Sequence, residues 1–223
     1  MLTARNAVTA AEAAFIAGLT DKDINRLVDE AVMPEALVIR IEGRRFAPLV
    51  GPFAKFYFEM GNELTKSART YVLVTLTNRL LDRPERDELL ALAWPDANQR
   101  FDWSVSYQAL TVELNSYVRD AWSRVEQLHH ASEEIVSDPE ILGGAPCFRG
   151  TRVPIANVLA AEKEMPLDDL KHAYPFLTVE LLELANVYAK ARPRVGRPRR
   201  VADAMPGALL LSTKVVVPAK GQR

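Results

Sequence analysis

Between Gly143 and Pro154 the chain reads Gly-Gly-Ala-Pro-Cys-Phe-Arg-Gly-Thr-Arg-Val-Pro, and no other stretch restricts the fold as tightly. Gly143, Gly144 and Gly150 can take positive φ at little cost, so two tight turns are expected. Between them Pro146, Cys147 and Phe148 form a short extended arm. Pro154 keeps Val153 out of the helical region, so the chain returns as a small hairpin and a helix begins near Pro154. Three helices are then expected. Ile155, Val158, Leu159 and Ala160 mark the first. The second opens at Pro166-Leu167-Asp168-Asp169-Leu170, with proline in the first turn and carboxylates near the positive end of the dipole. Tyr174-Pro175-Phe176-Leu177 closes it, and Thr178 with Glu180 starts the third, which continues through Leu184, Ala185 and Tyr188. The pattern is a helix-turn-helix with a hairpin beside it.

A similar arrangement is expected at the other end of the chain. Thr9-Ala10-Ala11-Glu12 has capping-box spacing. The apolar run Ala13 to Ile16 stops at Gly18, and Thr20 or Asp21 can cap a second helix carrying Ile24, Leu27 and Val28. Pro34 is expected to end that helix. Leu37 to Ile41 is β-branched and apolar, and Glu42-Gly43-Arg44 supplies a turn before Phe46, so a hairpin placed there is a wing. The same pattern also describes an αα-hairpin without a DNA role. The second helix is net acidic, the wrong sign for phosphate contact, while Arg40, Arg44 and Arg45 on the wing offset it.

The middle of the chain is less explicit. The aromatic run Pro52 to Met60 is expected to be a helix face packed under the wing. Residues 64–93 read as helix, interrupted at Pro84 and broken at Trp94-Pro95-Asp96. A strand is expected near 105–113, and Asn115 as the cap of an amphipathic helix through Val118, Ala121, Trp122, Val125 and Leu128. The expected fold is mainly α with small β-hairpins: two winged helix-turn-helix modules joined by an α/β connector, plus an extended C-terminal tail. The expected boundaries are 1–62, 63–130 for a connector or dimerisation region, 131–191, and 192–223.

The eleven residues Gly143, Gly144, Pro146, Gly150, Thr151, Arg152, Pro154, Tyr174, Pro175, Leu177 and Thr178 match the pattern GGxPxxxGTRxP and the helix starts that follow it. On those residues the stretch resembles a family of small bacterial winged-helix antitoxins, and residues Leu2 to Phe46 resemble the start of MerR-like winged helices. The two-module layout is similar to the longer VapB-like members. That resemblance implies a DNA-binding antitoxin whose partner is a PIN-like ribonuclease, with operator DNA as second ligand and a homodimer or larger hetero-oligomer as the assembly. Lys22, Asn25, Arg26, Arg40, Arg44, Arg45, Arg149 and Arg152 are the candidate DNA contacts. Most of the Gly-Thr-Arg-x-Pro run also makes sense as structure alone, with Thr151 bonding backbone and Arg152 pairing with a carboxylate such as Asp138.

Charge divides the chain. Residues 131–190 carry 5 basic and 10 acidic side chains, whereas 191–223 carry 8 basic side chains against Asp203 alone. A cationic end on an otherwise acidic protein implies an anionic partner. Arg192, Arg194, Arg197, Arg199 and Arg200 fall among prolines and a glycine that disfavour helix, so the segment is expected to be extended. Gly196-Arg197-Pro198-Arg199 resembles the core of an AT-hook, which lies in narrow minor grooves. Alternatively the guanidinium groups enter a carboxylate-lined ribonuclease site in place of its metal, the reading that suits the antitoxin resemblance, with Leu210 and Val216 docking on the toxin. A solvated linker is the plain alternative. The alternative for the whole chain is a stand-alone transcription regulator.

No catalytic constellation is expected, and no cofactor or metal. His129-His130 and His172 lack ligand spacing, Cys147 has no nearby histidine in sequence, and Gly143-Gly144 lacks the downstream lysine of a phosphate loop. A single cysteine gives no intrachain disulfide framework, no apolar run approaches 18 residues, and the cytoplasm is the expected compartment.

Overall fold

Thr9 and Glu12 start the fold by capping each other. The Glu12 amide donates to Thr9 Oγ1 at 3.2 Å, and the Thr9 amide donates back to Glu12 Oε2 at 2.8 Å. This satisfies two amides that the first turn would leave open. Helix α1 (Ala10–Ala17) then runs to Gly18, whose φ of 70° ends it. Thr20 and Asp23 repeat the reciprocal cap for α2 (Asp21–Asp29). The computed structural model describes residues 7–40, 43–93 and 100–193.

Pro34 does not end α2. The helix closes at Asp29, Ala31 takes a φ of 50°, and Pro34 instead leads a single 3-10 turn at Glu35–Leu37. The wing follows as β1 (Val38–Arg40) and β2 (Arg44–Phe46), antiparallel, with Val38 opposite Phe46 and Arg40 opposite Arg44. Val8 pairs with the other edge of β2, exchanging bonds of 2.8 and 2.9 Å with Phe46. Helix α3 (Val50–Glu59) follows and packs chiefly on α1 rather than under the wing, with Phe53 and Phe56 buried as a packed face requires. Gly51 lets α3 close on α1: a methyl there would overlap Ile16 Cγ2 and meet the Ala17 amide nitrogen at 3.3 Å.

Helices α4 (Lys66–Leu81) and α5 (Arg86–Ala91) flank Pro84. The strand expected over 105–113 is a hairpin, β3 (Ser104–Tyr107) and β4 (Leu110–Glu113), because Gln108 takes a left-handed φ of 54° and reverses the chain. Arg79 pins it to α4, donating to the carbonyls of Asp102 and Ser104 at 2.8 and 2.9 Å. Asn115 is the first residue of the 20-residue helix α6 (Asn115–Glu134) and not its cap. Buried Leu114, whose amide is held by the Trp103 carbonyl at 3.0 Å, takes the capping position.

The C-terminal module has β5 (Ile135–Val136) paired with β6 (Cys147–Phe148), then α7 (Ile155–Ala161), α8 (Leu167–Ala173) and α9 (Val179–Ala191). Gly143, Gly144 and Gly150 all have positive φ. The expected return of the chain is present as a Cys147–Pro154 bridge, so β6 lies between β5 and that returning residue. Thr178 caps α9 through the Leu181 amide at 3.1 Å.

Two apolar cores result. The first runs from Ala13 to Ala121 and includes Phe46, Phe53, Leu73, Leu76 and Trp103, so the wing region and the middle segment share one interior. The second gathers Ile135, Phe148, Ile155, Val158, Leu170, Leu182 and Ala185. Helix α6 serves both, with Val118 and Ala121 in the first and Ala131 in the second. Helix α9 packs along α6 and touches α1. Arg124 of α6 donates to the Phe15 and Ile16 carbonyls at 3.3 and 3.4 Å, placing a cation at the negative end of α1. No helix among the described residues is long and apolar enough to cross a membrane.

Candidate nucleic-acid interface

Helix α2 buries Ile24 and Leu27 and turns the opposite side outward. Lys22, Asn25, Arg26 and Asp29 stand three or four residues apart, which sets them along one stripe. The wing leans over the end of this stripe. Arg44 Nη2 donates to Asp29 Oδ1 at 2.7 Å, and its Nη1 lies 3.4 Å from Asn25 Oδ1. Side chains directly opposite in a ladder share a face, so Arg40 sits beside Arg44, and Arg45 occupies the other face. The structure therefore brings together Lys22, Asn25, Arg26, Arg40 and Arg44 and separates Arg45 from them.

Its electrostatics differ from what the sequence implies. Arg26 bonds Glu30 at 2.6 Å, and Lys66 from α4 reaches the other oxygen of Glu30 at 3.1 Å. Hydrogen bonds from Arg26 and Lys66 hold the Glu30 carboxyl below the usual carboxylate range. Asp23 is lowered too, by the hydroxyl and amide of Thr20. Asp23, Asp29 and Glu30 are thus committed to a cap or to ion pairs, whereas the exposed Asp21 carboxylate accepts only the Lys22 amide, at 2.9 Å, among the described residues. Lys22 on α2 and Arg40 on the wing are exposed cations with no ion pair among the described residues. Asp29, Glu30 and Lys66 are the members of this surface that sequence reasoning missed as partners.

Because the pKa values of Asp23 and Glu30 are lower in the folded state, their stabilising effect is complete above the ordinary values of 3.8 and 4.5 and is lost as pH falls through the lowered ones. The melting temperature is expected to stay level with respect to these two groups from pH 7 to about 5 and to fall below about pH 4. A thermal melt that rises on acidification would contradict this.

The hairpin tip of the C-terminal module is built by Thr151. Its hydroxyl donates to the Phe148 carbonyl at 2.9 Å and accepts the Val153 amide at 3.1 Å. Gly150 supplies a φ of 73°. Arg149 and Arg152 flank this turn, exposed. The pairing of Arg152 with Asp138 does not occur: Asp138 Oδ1 accepts the Glu140 amide at 2.9 Å, capping the turn that leads to Gly143. Buried Cys147 turns its thiol to the Ala145 carbonyl at 3.3 Å. No group of three or more metal-ligating side chains occurs among the described residues.

Arg192 is not part of a free tail. Helix α9 continues through Ala191, and Arg192 Nε donates to Glu12 Oε1 at 2.7 Å, across 180 residues of sequence. Its guanidinium also lies 4.7 Å from the Tyr188 ring. Burial works to lower the Arg192 pKa, but hydrogen bonds to Glu12 and Tyr188 raise it above the usual arginine value, so Arg192 keeps its charge. The compact unit closes at Pro193, one residue further on. Arg194, Arg197, Arg199, Arg200, Leu210 and Val216 lie outside the described residues.

An uncharacterized protein of Sinorhizobium fredii, y4eO, is 35% identical over 208 residues, which cover 93% of this chain and 91% of that protein. The chain belongs to the y4eO family. A family model described as a protein of unknown function, DUF433, matches residues 135–189, the stretch from β5 to near the end of α9. The likeness to y4eO spans both cores and is much wider than that module. No solved structure matches the chain.

Proposed function

We propose that this member of the y4eO family is the antitoxin of a type II toxin–antitoxin pair, a non-enzymatic protein that neutralises a PIN-like ribonuclease and represses its own operon by binding DNA. The close of the compact unit at Pro193 carries this reading. Up to that point the chain is acidic, with 21 basic and 28 acidic side chains in residues 1–193; past it, 7 basic side chains face Asp203 alone. Such a segment suits a carboxylate-lined site, where a guanidinium replaces the charge of a metal. The two hairpins with exposed arginines at or beside their tips support the DNA-binding part.

The test is co-purification with the product of the adjoining reading frame, comparing the full chain with a form ending at Pro193. The cut is placed there because removing Ala191 and Arg192 would strip the end of α9 and leave Glu12 without its cation. The full chain is expected to bind the neighbour and stop RNA cleavage, and the shortened form to keep its fold and lose inhibition. If neither form binds, toxin neutralisation is wrong, and the chain is a stand-alone regulator whose Gly196-Arg197-Pro198-Arg199 segment acts on DNA.

A further inference from the structure

Two carboxylates stand where helix stability argues against them. Asp29 and Glu30 close α2, at the negative end of its dipole, where an acidic side chain is unfavourable. Glu30 is engaged by two cations, Arg26 and Lys66. Asp29 has one, Arg44 of the wing, in a pair whose side chains are 60% and 36% exposed respectively. An ion pair so open to water adds little to stability, so the fold does not account for Asp29. Its effect is on the surface charge. Arg44 is the wing cation that reaches the α2 stripe, and Asp29 offsets its charge there.

We propose that Asp29 restrains the grip of the first module on DNA by holding Arg44 as an internal ion pair, so that Lys22 and Arg40 make the phosphate contacts in the native chain. This inference rests on the DNA-binding part of the function proposed above. Arg44 exchanges its carboxylate for a phosphate only by leaving Asp29 bare beside the DNA backbone, so the exchange gains little. Each neutralised phosphate contributes about −0.9 to the slope of log affinity against log salt. A module gripping with two side chains is therefore weakly salt-dependent and weak alone, and a repressor built from it needs several modules on one operator.

Asp29→Asn tests this, because it keeps the shape, removes the unfavourable charge at the helix end and frees Arg44. Binding is measured by fluorescence anisotropy of the full chain on a duplex from upstream of its own gene and on a scrambled duplex, between 50 and 200 mM salt. The variant is expected to bind both duplexes several-fold tighter at the lowest salt, with a slope steeper by about one phosphate contact per module. Asp29→Asn combined with Arg44→Ala should return the slope to that of the native chain. If the native chain binds and Asp29→Asn binds more weakly or with an unchanged slope, Asp29 positions the wing or does nothing, and the inference is wrong. If neither protein binds either duplex at any salt, the DNA-binding reading fails and this inference falls with it.

Discussion

Gly51→Ala is expected to destabilise the protein by about 1–2 kcal/mol and Gly51→Val by about 3 kcal/mol or more. The direction is the informative part. Exchanging a helical glycine for alanine ordinarily stabilises, by about 0.5–1 kcal/mol, because glycine gives up more backbone freedom on folding. Here the added methyl overlaps Ile16 Cγ2 and approaches the Ala17 backbone nitrogen. Ile16 is only 1% exposed, so it cannot swing into solvent without disturbing the core around it. Either α1 moves off α3, carrying the first helix-turn-helix with it, or Ile16 leaves its rotamer; both outweigh the gain in propensity. Urea melts check this, with a lower midpoint at an unchanged m-value as the expected result. A stabilised Gly51→Ala would mean that α1 is free to shift, and the close packing described for the first module would be wrong.

Glu12→Ala is expected to cost about 2–4 kcal/mol, unusually much for a residue in the first turn of a helix. The loss of the reciprocal cap with Thr9 accounts for about 1 kcal/mol. The rest comes from Arg192, left partly buried with no carboxylate. Since the Arg192 side chain is 38% exposed, water recovers part of that penalty, and the lower half of the range is expected. Glu12→Gln keeps the cap and loses the charge, so its cost should fall between the native chain and alanine. Arg192→Ala should cost less than Glu12→Ala, because Glu12 keeps both bonds to Thr9. A double-mutant cycle between the two is expected to show coupling of about 1 kcal/mol or more. Strict additivity would show that the contact does not join α1 to α9 in solution.

Local chemistry was readable from the sequence wherever partners lie a few residues apart. The cap between Thr9 and Glu12, the cap at Thr20, the turns at Gly143, Gly144 and Gly150 and the helix start at Thr178 are all interactions within one turn, and all occur as expected. The 105–113 hairpin escaped notice because its reversal uses Gln108, without the glycine or asparagine that usually marks a left-handed position. Strand β5 escaped because Ile135 and Val136 continue directly from α6 with no breaker between them. The candidate interface was legible as a set of residues and not as a charge distribution. Asp29 and Arg44 are 15 positions apart, Glu30 and Lys66 are 36 apart, and no periodicity links either pair. Arg192 was assigned to the basic segment by its neighbours in sequence, while the carboxylate that holds it belongs to the first helix of the chain.

Helix α6 limits how a chain of this kind can change in length. It carries side chains of the first core at Val118 and Ala121 and of the second at Ala131, with no loop between them. One residue inserted between Ala121 and Leu128 would swing everything beyond it by about 100° around the helix axis and advance it by about 1.5 Å. The surface that α9 presents to α1 would turn away, and Arg192 would lose Glu12. Seven inserted residues nearly restore the rotation but displace the second core by about 10 Å, too far for that pair to reform. Insertions and deletions between relatives are therefore expected in the turns near Pro84 and Pro139, and this stretch of α6 should keep a constant number of residues wherever both modules are present.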